Sequence, residues 1–318
     1  MTTAISLAIR HRFPKRVYVE SNGVSRCQET YSPLLILQKN VSLSYVYPIM
    51  SHQPVSVYII TKNEAARIAQ AVQSVIHWAD EVIVVDSGST DATVQIATAL
   101  GASVLHRDWN GYGPQKRFAE EQCRNKWVLN IDADEEVTSA LATEIQAAVD
   151  NAPEQQAAFQ IRVTDVLPGE AAPSWHAYSY NILRLYHRDF GQMSEHPYQD
   201  RVEIRGGETS PLGGRIFHRS FISWQATVQK INFYSSQVAQ QRMTSKLPKL
   251  FRLRLWTEFP LTFLKIWVGR RYALRGSIGL GVAITVAYLN LLRLLKLEEA
   301  VRMASESARD DKSLKPAA

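Results

Sequence analysis

Asp132-Ala133-Asp134 sets two carboxylates two residues apart at the end of a largely apolar run, Trp127 to Ile131. Alternate side chains of extended backbone point the same way, so both can face one ligand. A Mg²⁺ or Mn²⁺ ion on a diphosphate takes one or two carboxylates and fills its remaining positions with phosphate oxygens and water. The same pair would also serve as a polar strand end or a helix cap. A third carboxylate, Asp86, closes the run Val82-Ile83-Val84-Val85. Burying it there is costly without partners. It either meets a ligand or caps the helix that follows, although Ser89, Thr90 and Asp91 are better placed to cap. Lys62-Asn63-Glu64 adds polar groups at an equivalent position. Glu64 suits a ligand contact and the positive end of the next helix equally.

The elements that must carry these groups read clearly from Val55 onward. Val55 to Ile60 predicts a buried strand, and Glu64 to Ile76 a helix with apolar positions Ile68, Val72, Val75 and Ile76. Strands follow at Glu81–Asp86, Ala102–His106 and Trp127–Ile131, with helices at Asp91–Leu100 and from about Pro114 to Cys123. Alternating strands and helices mean βαβ units and a parallel sheet. Ligands gather beyond the carboxyl ends of such strands, where Asp86, Asp132 and Asp134 all fall. After about Asn151 the pattern changes to shorter strands (Ala157–Val163, Asn181–His187, Arg201–Ile204, Arg215–His218) and a helix from Ser223 to about Gln241.

Composition is that of an ordinary globular chain able to bury a sizeable core. The two cysteines, Cys27 and Cys123, make neither a disulfide framework nor a metal-ligand spacing, and point to a reducing compartment. The net charge of +6 is regional: ten basic residues and one acid, Glu258, lie between Lys246 and Leu297. The rest of the chain is net acidic, so an anionic partner is to be sought in that segment.

Residues 1–50 show no sustained period. Arg10, Arg12, Lys15 and Arg16 follow the only apolar stretch instead of preceding it, which fits a secretory signal poorly. Met50 stands four residues before Pro54 and the first strand, and is expected to be the natural start, with residues 1–49 a disordered extension or a mis-assigned beginning. An N-terminus near Met1 in mass spectrometry of the native protein would remove that expectation.

Three ordered motifs, Val55 to Glu64, Val84 to Asp91 and Ile131 to Glu135, together resemble the nucleotide-binding half of glycosyltransferase family 2, which has the GT-A fold. Trp109-Asn110-Gly111-Tyr112-Gly113-Pro114-Gln115-Lys116-Arg117-Phe118-Ala119 is similar to the branch containing the lipopolysaccharide inner-core β-1,4-glucosyltransferases. The resemblance runs from about Pro54 to about Glu299. It implies an α/β, GT-A type fold with a mostly parallel central sheet over residues 51–245, while the residues themselves mark a basic amphipathic helical extension at 246–302 and a polar tail at 303–318.

The resemblance also implies roles. Thr61, Glu64 and Asp86 would contact the nucleoside, Asp86 at the base. Asp132 would meet the ribose or the metal, Asp134 the metal, and Lys116 or Arg117 the diphosphate; many relatives carry Asn at the position of Arg117, and a solvated helix face is the alternative for both. Relatives place a His-Glu pair before a short strand, and here Gln199-Asp200 stands there. Asp200 would then be the general base, with Glu195 the alternative if the loop is shifted. His218, at a strand end, is a further metal or pyrophosphate candidate, or a hydrogen-bonded structural histidine. A divalent metal (Mg or Mn), UDP-glucose as donor and a lipid-linked saccharide acceptor such as the lipopolysaccharide inner core follow from the same likeness, with inversion of the anomeric carbon.

Lys249, Arg252 and Arg254 interleave with apolar residues before Trp256, Phe259, Phe263 and Trp267. Such a segment suits the headgroup boundary of an anionic leaflet. The uncharged stretch Ile278 to Leu292 falls short of the about 20 residues needed to span a bilayer, so a peripheral place on the cytoplasmic face of the membrane is expected, with a core helix and a charged solvated face as the plain alternative. No nucleic-acid partner is expected. A nucleotidyltransferase would normally show a glycine-rich phosphate loop after the first strand, and Thr61-Lys62-Asn63-Glu64 has no glycine. A non-enzymatic polyanion-binding protein using residues 246–297 is the other rival.

Overall fold

The computed structural model describes residues 17–21, 24–28, 52–197, 200–241 and 250–313. The chain divides into two units, Met1–Ile49 and Met50–Ala318. In the first, β1 (Val17–Ser21) and β2 (Val24–Gln28) pair antiparallel, Val17 opposite Gln28. The question of a start at Met50 otherwise concerns residues outside those described, as do Lys246, Lys249 and Tyr198-Gln199.

The second unit is built on an eight-stranded sheet. Its first half alternates strand and helix: β3 (Val55–Thr61), α1 (Ile68–Gln73), β4 (Glu81–Asp86), α2 (Thr93–Ala99), β5 (Ser103–His106), α3 (Tyr112–Gln122) and β6 (Trp127–Asp132). Strands β5, β4, β3 and β6 lie side by side and parallel. The central ones are covered on both faces, which is why they read as continuous apolar runs. Val57, Ile59, Val84, Leu129 and Ile131 are wholly buried on one side of the sheet with Ile68, Val72 and Ile145. Tyr58, Val85, Val128 and Tyr186 pack on the other, against Ala119 of α3. Each such aliphatic side chain contributes about 1.5–3 kcal/mol.

Past Asp132 the chain turns at once into β7 (Glu135–Val137) and then α4 (Ser139–Asp150), capped by the Thr138 hydroxyl on Leu141 N. Sequence analysis did not anticipate either element. The second half adds β8 (Gln156–Asp165), β9 (Ser179–His187), the short β10 (Gly191–Met193) and β11 (Val202–Ile204), and β12 (Glu208–His218). The full sheet order is β5-β4-β3-β6-β9-β8-β12-β7. Four of its seven pairings are parallel and three antiparallel, namely β6 with β9, β9 with β8 and β12 with β7. The expected mixed α/β fold with a mostly parallel sheet is therefore present. Strand β12 starts seven residues earlier than expected because it pairs with β8 along most of its length.

Helices α5 (Trp224–Gln241), α6 (Phe251–Leu264) and α7 (Gly276–Ser313) complete the unit. Between α6 and α7 the chain makes a π-helical turn, Lys265–Gly269, and a 3-10 turn, Tyr272–Arg275. A cluster of Leu167, Ile266, Tyr272 and Ala283, joined by Phe263 and Trp267, fastens these turns to the loop after β8. The helical stretch Tyr272–Ala304 is long and apolar enough to cross a membrane, longer than the uncharged window Ile278–Leu292.

Candidate active site

Four strand ends and one loop meet at a cavity of about 1050 Å³ lined by Thr61 at the end of β3 and Glu64 beyond it, Asp132 at the end of β6 and Asp134 beyond it, His218 at the end of β12, and Asp200. Asp165, ending β8, and Tyr272 line it too.

Asp132 and Asp134 share this cavity by a route other than strand alternation. Asp132 is the last residue of β6, and Ala133-Asp134 already belongs to the turn into β7. The two carboxylates are held by different cations. Asp132 Oδ1 lies 2.7 Å from Lys116 Nζ, and its Oδ2 2.9 Å from Arg184 Nη2. Burial opposes its charge, but Arg184 and Lys116 together hold its carboxyl well below the usual range. Asp134 Oδ2 lies 3.3 Å from Arg67 Nη1 and 3.5 Å from His218 Nε2. Burial again works against ionisation, and hydrogen bonding to His218 outweighs it, so this carboxyl also sits low. His218 in turn is raised to about 10: burial disfavours its proton, but the bonds to Asp134 and Asp165 keep it.

Asp200 reaches the site through Lys116, whose Nζ lies 2.6 Å from Asp200 Oδ2. Lys116 is buried in α3, and Asp132 and Asp200 hold its charge against the desolvation that would remove it. The glycines around Tyr112 explain how α3 comes so close to the Asp200 loop. Gly111 has φ +106°, and a Cβ there would meet Pro197 O at 2.7 Å. A Cβ on Gly113 would lie 2.3 Å from His196 O. Tyr112 N then donates to Pro197 O at 2.8 Å, pinning the loop that leads to Asp200.

Thr61 Oγ1 is buried against the cavity without a hydrogen-bond partner. A hydroxyl left so is costly unless a ligand satisfies it. Glu64, raised by burial, accepts from Arg67 Nε at 2.7 Å.

Other expected site residues lie apart. Asp86 stands beside Thr61 in register but does not line the cavity; its carboxylate accepts from Gly88 N and Ser89 N at 2.9 Å each and from the Ser89 hydroxyl, closing its own turn. Arg117 points along α3 to Glu120 and Glu121. Glu195 is exposed and off the cavity. Sequence reasoning missed Arg184, whose guanidinium is 6% exposed and bonds Asn130, Asp132 and Glu135 at 2.6, 2.9 and 2.7 Å. Nothing around Arg184 in the chain marks it out.

Among the described residues no three His, Cys, Asp or Glu side chains converge to cage a metal ion. The donors present still fit one that arrives with a diphosphate. An Asp134 carboxylate oxygen and, once an arriving cation displaces its Nε2 proton, a His218 imidazole nitrogen suit Mg²⁺ or Mn²⁺, whose remaining positions phosphate oxygens and water would fill. Asp132, already neutralised by two cations, has less need of it.

Residues 56–221 match the profile of glycosyl transferase family 2. An uncharacterized glycosyltransferase of Rickettsia prowazekii (strain Madrid E) is 40% identical over 254 residues, covering 77% of this chain and 87% of that protein. The lipopolysaccharide core biosynthesis glycosyltransferase LpsC of Rhizobium meliloti is 29% identical over 265 residues, covering 81% and 97%. Among solved structures, S. aureus TarS residues 1–349 in complex with UDP-GlcNAc superposes with a TM-score of 0.39 at 15% identity, covering 81% of this chain and 92% of that one.

Proposed function

The chain belongs to glycosyltransferase family 2, and on that footing we propose that it transfers a hexose, glucose from UDP-glucose, to a lipid-linked saccharide such as the lipopolysaccharide inner core, with inversion. The observation that carries this reading is the meeting of Thr61, Asp132, Asp134, His218 and Asp200 on one cavity. The name of the LpsC relative supports the acceptor class. Family membership sets aside the nucleotidyltransferase and the non-enzymatic polyanion-binding protein.

In this reading Asp134 and His218 hold a divalent cation. When bound, the cation would neutralise the charge that grows on the leaving diphosphate. Asp132, fixed by Lys116 and Arg184, presents its remaining lone pairs to the ribose, and Thr61 bonds the nucleoside. Asp200 takes the proton of the acceptor hydroxyl as that oxygen attacks the anomeric carbon. Lys116, 2.6 Å away, aims Asp200 and steadies its loop against α3. One in-line displacement inverts an α-linked donor to a β-glycoside. No covalent sugar intermediate is called for. The exposed apolar and basic residues of α6 and α7 would rest on the inner face of the cell membrane, where such an acceptor is made.

A panel of nucleotide sugars, each offered with Mn²⁺, with Mg²⁺ and with chelator, tests this through release of nucleoside diphosphate. Turnover with a UDP-hexose only when metal is present is expected. The absence of metal-dependent turnover or binding with every donor would overturn it.

A further inference from the structure

The segment after α6 reaches back into the site. Tyr272 is buried, and its hydroxyl donates to Asp165 Oδ2 at 2.8 Å. The other oxygen of Asp165 takes His218 Nδ1 at 3.1 Å. With Nδ1–H committed to a carboxylate, Nε2 is the nitrogen left to face Asp134, 3.5 Å away. An imidazole that ligates a metal typically donates its other N–H to a carboxylate in this way, which fixes tautomer and ring angle.

Several further ties hold Tyr272 in place. Arg271, at φ 59°, occupies the left-handed region as the 3-10 turn begins. Gly279 lets α7 pass so close that a Cβ would lie 2.1 Å from the Tyr272 carbonyl oxygen. Arg275, its side chain 2% exposed, pairs with Glu170, and Arg270 stacks 4.0 Å over the Tyr178 ring. Tyr272 lands on the last residue of β8, and the other two contacts land on the chain between β8 and β9. The segment lies wholly beyond residue 221, where the family match ends.

We propose that this C-terminal segment is a working part of the metal site: Tyr272 orients Asp165, and Asp165 orients His218 toward the cation. Both are positioning residues, and the proposal rests on the reading of His218 as a metal ligand.

The test uses the full chain with Mn²⁺ titrated at saturating UDP and followed by electron paramagnetic resonance. Asp165→Asn should weaken Mn²⁺ binding toward the upper end of the about 10–100-fold range seen when outer partners of a metal ligand are lost, and Tyr272→Phe toward its lower end. The double variant should be little worse than Asp165→Asn alone, because the two act in series. Pulsed spectra should show the ¹⁴N coupling of a bound imidazole in the native protein and a diminished one in Asp165→Asn. A merely structural role would not alter that signature. Tyr272→Phe keeps the ring and its packing, so it remains informative even if Asp165→Asn fails to fold. Unchanged Mn²⁺ affinity in Tyr272→Phe, beside a loss in His218→Gln, would overturn this proposal alone. Unchanged affinity in His218→Gln would instead overturn the metal-site reading beneath it.

Discussion

Lys116 Nζ lies 2.6 Å from Oδ2 of Asp200, 84 residues away in the chain. The ammonium is 1% exposed, whereas Asp200 and its second partner, Asp132, are each about a third open to the cavity. The buried partner is thus the cation, and the two anions face the ligand space. Replacing Lys116 with Met should leave two neighbouring carboxylates without their shared charge. A buried pair broken from one side costs several kcal/mol; with both anions partly solvated, a loss of about 1–3 kcal/mol is expected. Urea denaturation measures it. Lys116→Arg should not restore stability, because a planar fork does not replace a compact ammonium in a closed space.

The assignment of the base divides two carboxylates that sequence reasoning left open. Asp200→Asn should lower kcat by about 10²–10⁴-fold, the usual worth of a positioned general base, with little change in donor KM. Glu195→Gln should behave as the native enzyme. Steady-state kinetics with the donor found in the screen decide between them, and a large kcat loss in the Glu195 variant alone would reverse the assignment.

Arg184 is the least replaceable cation of the site for folding. Glu135, its side chain 1% exposed, accepts from it at 2.7 Å, and burial already pushes the Glu135 carboxyl up. Arg184→Met should strand that charge and cost about 3–5 kcal/mol. Adding Glu135→Gln should recover part of the loss, and a double-mutant cycle by chemical denaturation gives the coupling.

Why Arg184 escaped notice while β3 to β6 did not is a matter of range. Buried parallel strands must be apolar throughout, so Val55 to Ile60 and Glu81 to Asp86 declare themselves locally. Arg184 acquires its meaning only when β9 comes to lie beside β6, 49 and 52 residues away in sequence from the acids it binds. Tyr272 and Asp165 are separated further still. Asp86 is a different case. The strand end that marked it stands where expected, and two backbone amides and a hydroxyl of its own turn bond its carboxylate, contacts that only the folded turn reveals. Helix α4 was legible in principle, since Leu141, Ile145 and Val149 repeat every four residues behind a Thr138 cap.

Cys123 offers a pH test of the packing beneath α3. Burial pushes its thiol up to about 12, with Glu81 adding to the shift. A raised acid keeps its proton in the folded state, so thiolate, the reactive form, is scarce until the pH approaches that value. Iodoacetamide at pH 8 should therefore leave Cys123 intact in the native protein and modify it in urea, as read by peptide mass spectrometry. Rapid native labelling would mean that α3 does not seal the sheet as described.

The last prediction concerns the membrane. Leu280, Ile284 and Tyr288 of α7 recur every four residues and are 40–44% exposed, while Trp256 of α6 is 84% exposed and Leu253, Leu261 and Leu264 stand open with it. Arg252 and Lys265 are exposed among them. Apolar side chains with cations at their margin favour a leaflet boundary, where each basic residue near an anionic surface adds about 1 kcal/mol. Co-flotation with phosphatidylglycerol-rich vesicles should thus fall by about 30-fold when Arg252 and Lys265 are both changed to Gln, and should weaken in high salt. Trp256→Ala should weaken it without altering the salt dependence. The length and composition of Tyr272–Ala304 also permit a crossing, and extraction at alkaline pH separates the two arrangements. A helix lying in the interface with α5 and α6 against it should release into the supernatant. Retention in the pellet would mean that α7 spans the bilayer, and the contacts of Tyr272 with Asp165 would then have to form at the membrane surface itself.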